Sequence, residues 1–266
     1  ICNCAFLNRN GEIDMRRIAI LGFKGGIGKT TTCVNLGAAL AQQGQRVLLV
    51  DSDAQANVST ALGVTETENT LAEVLGRQVR AEECVTPVRE NLYLLPGSLD
   101  LFKTQQRMVL EIAREELLKQ LFSGLYGYDY VFLDCAPSMS LLTINVWTYA
   151  DEAILPISME ALAVVGTTQF LQYLEETSRL LGRGASIRLV VPTFYDSRRR
   201  VSQQVLESLG TEFGSMVTHP IRIDTKLSEA PGGGQTIFEY APDCRGAADY
   251  AQLAELVEAM PPLLSN

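Results

Sequence analysis

Histidine is almost missing from these 266 residues: His219 is the only one. A Ser-His-Asp or Cys-His nucleophilic arrangement therefore has next to nothing to draw on. Six cysteines occur, at positions 2, 4, 33, 84, 135 and 244, and none forms a CxxC pair. Without clustered ligands there is no basis for a zinc or iron–sulfur centre, and free thiols in a reducing cytoplasm are expected. Basic charge is short as well, with 22 Lys and Arg against 31 Asp and Glu and a net charge of −9. That balance argues against a generally basic surface. No apolar run approaches the ~20 residues needed to span a bilayer.

Residues 1–14 have no basic start and no long apolar stretch, so they are not read as a signal peptide. Met15 stands just before the first strand-like run, which makes 1–14 an extension outside the fold or a cloning leader and 15–266 the folded domain. A hydrophobic content of 47% over this length supplies a substantial core. Neither an internal repeat nor a low-complexity linker interrupts the chain.

Strand-like apolar runs alternate with helical patterns. Strands are expected at Arg17–Leu21, Arg46–Asp51, Leu92–Leu95, Tyr130–Asp134, Glu152–Ile157 and Ile187–Val191, with a weaker one near Met216–Ile221. Helices are expected at Lys29–Gln43, Thr70–Leu75, Thr104–Leu121, Leu141–Tyr149, Ala161–Leu181, Arg199–Leu209 and Arg245–Met260. Val47–Val50 and Val131–Leu133 are apolar without alternation, as happens when both faces of a sheet are covered. The expectation is an α/β protein with one doubly wound, mostly parallel sheet flanked by helices.

Between the first strand and the first helix stands Lys24-Gly25-Gly26-Ile27-Gly28-Lys29-Thr30-Thr31. A strand, a Gly-rich loop, Gly-Lys-Thr and a helix form the arrangement that binds nucleotide phosphates. Backbone N–H groups close around phosphate oxygens, and the helix N-terminus adds partial positive charge. Lys29 is placed to reach the β- and γ-phosphates, and the Thr30 hydroxyl to ligate Mg²⁺. A turn with two solvated lysines is the plainer alternative, and the flanking strand and helix speak against it. Two details set the loop apart: Phe23 stands where the common pattern has glycine, and a second lysine, Lys24, precedes the glycine pair.

Acidic residues fall at strand ends, where such sheets present their ligands. Asp51 ends the second strand, Asp53 lies two residues on, and Tyr130–Asp134 is an apolar run closed by an aspartate. An aspartate at a strand end can merely cap a turn. Downstream of a phosphate loop, Asp134 is better read as holding the Mg²⁺ shell, partly through water. Guanine recognition normally needs an Asn-Lys-x-Asp segment; none occurs, so ATP is the expected nucleotide. Basic residues cluster at Arg198, Arg199 and Arg200, with Arg222 and Lys226 in a later loop.

The loop with its extra lysine, together with Arg46–Asn57, Asp134–Ser140, Thr193–Arg198 and Leu227–Pro231, resembles the ParA/MinD family of ATPases with a deviant phosphate loop. Its small chromosomal ParA/Soj branch is the nearest, over Met15 to about Val257. The resemblance implies a phosphate-loop NTPase fold and slow, partner-stimulated ATP hydrolysis with ATP and Mg²⁺ as cofactors. It implies that Lys24 reaches across a homodimer interface to the partner's nucleotide. Asp53 would then position the attacking water, Asp51 would support the Mg²⁺ and Thr30, and the base would lie near Pro220. In that branch, residues matching Arg198 and Lys226 touch the backbone of double-stranded DNA without sequence preference. A ParB-like or cargo-adaptor protein is the implied partner, the nucleoid-associated cytoplasm the implied location, and partition of a chromosome, plasmid or protein cargo the implied task.

The chain also departs from the family pattern. It has Gly22-Phe23 for Asn-Gln, Ala54 and Ala56 for Pro and Gly, and Ala136 for a second Pro. None removes a charge needed by phosphate or metal. A MinD-like membrane-cycling ATPase is the alternative, but residues 260–266 hold two prolines and no basic residue, which makes no basic amphipathic helix. An electron-transfer relative of the nitrogenase iron protein would need bridging cysteines, and Cys135 has no suitably placed second.

Overall fold

A computed structural model of the chain describes residues 15–161 and 163–263. The expected extension at 1–14, with Cys2 and Cys4, lies outside the described residues. Seven strands run in chain order as β1 Arg16–Ile20, β2 Val47–Asp51, β3 Thr86–Arg89, β4 Leu92–Leu95, β5 Tyr130–Asp134, β6 Glu152–Ser158 and β7 Ser186–Thr193. They form one sheet in the order β3-β4-β2-β5-β1-β6-β7. Only the β3–β4 pair is antiparallel.

Interior strands are buried on both faces, and successive residues feed opposite cores. In β1, Ala19 joins the core on one side with Val131, Leu133 and Leu155. Ile18 and Ile20 join the other with Leu49, Phe132 and Tyr250. The second core is roofed by α1 Lys29–Gln42 and, later in the chain, α12 Arg245–Ala259, which pack on each other. Between them come α2 Asn57–Ala61, α3 Leu71–Leu75, α4 Ala81–Cys84, α5 Leu101–Met108 and α6 Leu117–Leu121. Next are α7 Leu141–Tyr149, α8 Ala163–Leu181, α9 Arg200–Phe213, α10 Lys226–Glu229 and α11 Ile237–Tyr240. The doubly wound, mostly parallel sheet flanked by helices is as expected.

The short helices α2, α4, α10 and α11 were not expected, and three further details differ. The helix read over Thr104–Leu121 is two, α5 and α6, broken where Ala113 takes a left-handed φ of 53°. Burial explains the break: Met108, Leu117 and Leu118 face the core, whereas Leu110 and Ile112 are exposed. Asn145 completes it, accepting from Leu118 N and donating to Arg114 O, so the chain ends there are satisfied by a side chain instead of by helix. The weak strand near Met216–Ile221 reduces to isolated contacts, a 3-10 turn at Gly214–Met216 and a single parallel bridge from Val217 to Val190. Lastly, β3 was not expected; with Pro87 in it, it is an edge strand, where a missing N–H does least harm.

Candidate functional site

β2, β5 and β1 are neighbours in the sheet, and their carboxyl ends come together. Ile20 pairs with Asp134, and Asp134 pairs in turn with Asp51. The phosphate loop leaves β1 at this edge and enters α1 through Gly28, whose φ of 89° is left-handed. Gly26, at φ 73°, is the second such turn in the loop. Both need glycine for lack of a Cβ. No side chain caps the N-terminus of α1 and no acid sits in its first turn, so its amides stay available to an anion. The Thr193 hydroxyl, at the end of β7, donates to Ile27 O at 2.9 Å and braces the loop from the far side.

Lys29 is 7% exposed, and its Nζ donates to Lys24 O at 2.9 Å, folded back over the loop. Burial holds its pKa below the usual lysine value against the pull of Asp134 and Asp53. Lys24 points elsewhere: its amine pairs with Glu160 on the connection from β6 to α8, and its side chain is 48% exposed. Phe23, the departure just before it, seats its ring beside Phe170 and over Gly166. A Cβ at Gly166 would lie 2.0 Å from that ring, so the glycine on α8 is what admits Phe23.

The three aspartates differ in role by their partners. Thr30 Oγ1 donates to Asp134 Oδ2 at 2.6 Å, while Asp134 Oδ1 is buried without a partner. Asp51 Oδ2 accepts from Ser59 N at 3.0 Å and Ser59 Oγ at 2.9 Å. Burial pushes both carboxyls up, Asp51 to about 6 and Asp134 further because the Asp51 charge adds to it. Asp53 lies in the cavity wall, 8% exposed, with Oδ1 accepting from Gln55 N at 2.9 Å. An orphaned carboxylate oxygen beside a threonine hydroxyl fits a hard divalent cation. Among the described residues no three acids, cysteines or histidines group into a metal cage. Such an ion would therefore share its shell with phosphate and water, as Mg²⁺ does.

A cavity of about 850 Å³ opens over the loop, touched by Gly25, Gly26, Gly28, Lys29, Thr30 and Thr31. Beyond the phosphate end its walls come from Val34, Asn35, Ala61, Phe194, Pro231 and Gln235. Pro220, expected beside the base, is half-buried and is not part of this lining; the chain turns the Ala230–Gln235 segment to the cavity instead. Phe194 takes a left-handed φ of 55°, costly for a bulky residue, and this aims its ring toward Gly28. Ala56, where the family pattern has glycine, is likewise left-handed at φ 51°.

Sequence reasoning missed Gly97. A Cβ there would lie 2.6 Å from Asp51 O and 3.0 Å from Asp53 O, so this glycine lets the β4 loop close against the aspartates. The Pro-Gly pair after Leu95 was the available signal.

The five basic candidates are dispersed and mostly neutralised. Arg198 is held by Asp196 through two 2.9 Å bonds, and Lys226 by Glu229 at 2.7 Å with its amine over the Tyr240 ring. Arg222 makes a bidentate pair with Asp249 of α12, an aspartate only 4% exposed, and so serves the fold. Its side chain nevertheless remains 41% exposed. Arg199 and Arg200 stand at the start of α9, outside any ion pair among the described residues.

The sheet order, the uncapped loop-to-helix turn and the Thr30–Asp134 pair define a phosphate-loop nucleotide hydrolase. A family profile described as "AAA domain" matches residues 15–184. The chain is 36% identical to the chromosome-partitioning ATPase Soj of Treponema pallidum, over 92% of this chain and 97% of that one. Among solved structures it is similar to cobyrinic acid a,c-diamide synthase of Mycobacterium smegmatis with bound ATP analog and magnesium, at TM-score 0.81, 31% identity and coverage of 91% and 94%. It is also similar to MinD of Pyrococcus horikoshii complexed with Mg-ADP, at TM-score 0.78, 28% identity and coverage of 92% and 96%. The chain belongs to the ParA/MinD family of ATPases, close to chromosomal Soj/ParA.

Proposed function

We propose that this chain is a partition ATPase that hydrolyses ATP with Mg²⁺, closes into an ATP-dependent homodimer and tracks along DNA without sequence preference. The observation that carries the dimer is the direction of Lys24. Lys29 already serves the loop, and Lys24, half-exposed just before the lining residue Gly25, turns away to Glu160. In this reading its amine leaves Glu160 for a nucleotide held by a second copy. Phe102, exposed in the cavity lining, and exposed Met139, next to the lining residues Ser138 and Ser140, supply apolar surface for that copy to cover.

Within one copy, backbone amides at the start of α1 and Lys29 bind the phosphates. Thr30 and Asp134 hold the cation, with Asp51 behind them. Asp53, in the wall beside the phosphate end, orients the attacking water. Bound Mg²⁺ would offset charge on the transferring phosphoryl group. The lysine of a second copy would add to that, so hydrolysis depends on dimerisation.

DNA contact is assigned to Arg198, Arg199, Arg200 and Lys226, and the net charge of −9 keeps it modest and salt-sensitive. Relatives named for chromosome partition support that task for this chain, with a ParB-like or cargo-adaptor protein as partner. No helix among the described residues is long and apolar enough to cross a membrane. A nucleoid-associated, cytoplasmic site of action follows from the DNA reading.

Light scattering tests the dimer. Asp53→Ala should retain ATP, stop turnover and accumulate as dimer with ATP but not with ADP. Adding Lys24→Ala should return it to monomer while ATP still binds. A Lys24→Ala protein that dimerises and hydrolyses normally removes the trans-lysine role.

A further inference from the structure

Asn35 lies one turn beyond the phosphate loop on α1, 5% exposed, and both ends of its amide are used. Nδ2 donates to Thr31 O at 2.9 Å, and Oδ1 accepts from Ile237 N at 2.8 Å. The second bond joins α1 to a segment 202 residues away, at the point where α11 begins. That segment passes the cavity through Ala230, Pro231 and Gln235 before it reaches the buried Ile237. Its other attachments come from outside α1. Gly234 lies against Gly63, where a Cβ would sit 2.8 Å from the Gly63 Cα, and Arg89 Nη2 donates to Gly234 O at 2.8 Å.

The cavity changes character along its length. At the loop it is lined by backbone amides, Lys29 and Thr30; one helical turn further, by Val34, Ala61, Ala230 and Pro231. Phosphate oxygens suit the first end, and a flat, largely apolar ring suits the second. Asn35 ties the two ends together, since α1 carries the phosphate anchor and Ile237 anchors the segment whose Ala230, Pro231 and Gln235 line the far wall.

We propose that Asn35 is a positioning residue for the nucleoside end of ATP: it fixes the Ala230–Ile237 wall at a set distance from the phosphate loop. The proposal rests on the nucleotide reading of this cavity. Removing Oδ1 would leave a buried N–H at Ile237 unpaired, and the wall would move to find another acceptor. At the phosphate end only the Thr31 carbonyl loses a donor, and it lies within α1, whose own backbone bonds remain.

The test compares ATP with inorganic tripolyphosphate, which engages the loop and lacks a nucleoside. Titration calorimetry with Mg²⁺ on the wild-type chain, Asn35→Leu and Asn35→Ala gives both affinities, and phosphate release gives kcat and KM. Alanine keeps the best helix former at this position, so that variant folds even if leucine crowds the site. The expected result is a loss of about tenfold in ATP affinity and a matching rise in KM, the scale of one unpaired buried amide. Tripolyphosphate affinity and kcat should stay at wild-type levels. Equal weakening of both ligands, or none of either, overturns the proposal. Wild-type protein that binds tripolyphosphate but gains nothing from the nucleoside overturns the nucleotide reading itself.

Discussion

The Thr30 hydroxyl donates to one oxygen of Asp134 at 2.6 Å, and the second oxygen of that carboxylate is buried without a partner. A carboxyl so placed costs stability when ionised. Its pKa is raised by burial and by Asp51, itself pushed up to about 6. Groups whose folded pKa is raised favour the fold below the unfolded value, near pH 4, and lose that contribution as pH climbs through the folded value. The ligand-free protein should therefore melt lower at pH 8 than at pH 5. Asp134→Asn should raise the pH 8 midpoint by several degrees, at about 2–4 °C per kcal/mol, and flatten its pH slope. The same variant should lose Mg²⁺-dependent nucleotide affinity. An unchanged pH slope in thermal scans would remove Asp134 as its source.

At Gly97 the loop after β4 packs directly against the backbone of the aspartates. With backbone oxygens of Asp51 and Asp53 at 2.6 and 3.0 Å from a Cβ built there, Gly97→Ala must push one chain segment off the other. Overpacking of this kind costs about 1–3 kcal/mol. Asp51 O is the nearer contact, but Asp51 is held in β2 and by Ser59, so the segment free to yield is the one that carries Asp53, and hydrolysis should fall further than nucleotide affinity. Phosphate release at saturating ATP beside calorimetric binding distinguishes the two. A variant with full turnover would show that the loop yields without moving Asp53.

Much of this was legible in the residues, for reasons that differ from place to place. The phosphate loop declares itself because its chemistry is local: consecutive amides, a lysine and a threonine need only a strand before and a helix after. Asp134 and Asp51 are legible because continuous apolar runs mark both strands and the acid ends each. The register that sets Asp51 beside Asp134 is not written in either run; it comes from β2 and β5 pairing across distant sequence. Arg222 shows the limit for charge. Its neighbours in sequence suggest an exposed basic loop, yet Asp249 on α12, 27 residues on, claims it. Pro220 and Asn35 show the same limit for the base end, where the wall depends on which face of a loop the fold turns inward. The break in the helix after Met108 has no Gly or Pro to announce it, and Asn145, 31 residues beyond Arg114, helps to hold it.

Arg16 and Glu152 form a buried pair at the opposite end of the sheet, with 2.7 and 2.8 Å bonds. Arg16 also donates to Val257 O at 2.6 Å, which ties β1 and β6 to the end of α12. Glu152→Ala leaves an uncompensated buried guanidinium and should cost about 3–5 kcal/mol in urea unfolding. At temperatures where the variant is folded, ATP affinity and turnover should match wild type, because the pair lies at the amino ends of strands whose carboxyl ends hold the site. A selective loss of ATP affinity in the folded variant would place the pair in the site's own support.

Arg198 and Asp196 set the sharpest test of the DNA reading. The bidentate pair holds Asp196 at about 2 and keeps the guanidinium occupied two residues from Arg200. Because the guanidinium is 87% exposed, the pair contributes little to stability and can open to a phosphate. Asp196→Asn frees the cation and removes one negative charge from the same patch. In a mobility shift with random duplex DNA and ATP it should bind more tightly than wild type by a few-fold, with a steeper dependence on salt. Arg198→Ala and Lys226→Ala should weaken binding without touching ATP affinity. Arg222→Ala should act through the fold, since it strands Asp249 at 4% exposure, and so should lower the melting midpoint before it alters DNA affinity. DNA binding equal in ATP, ADP and no nucleotide would separate this surface from the ATPase cycle. Weaker binding by Asp196→Asn would show that the patch faces something other than phosphate.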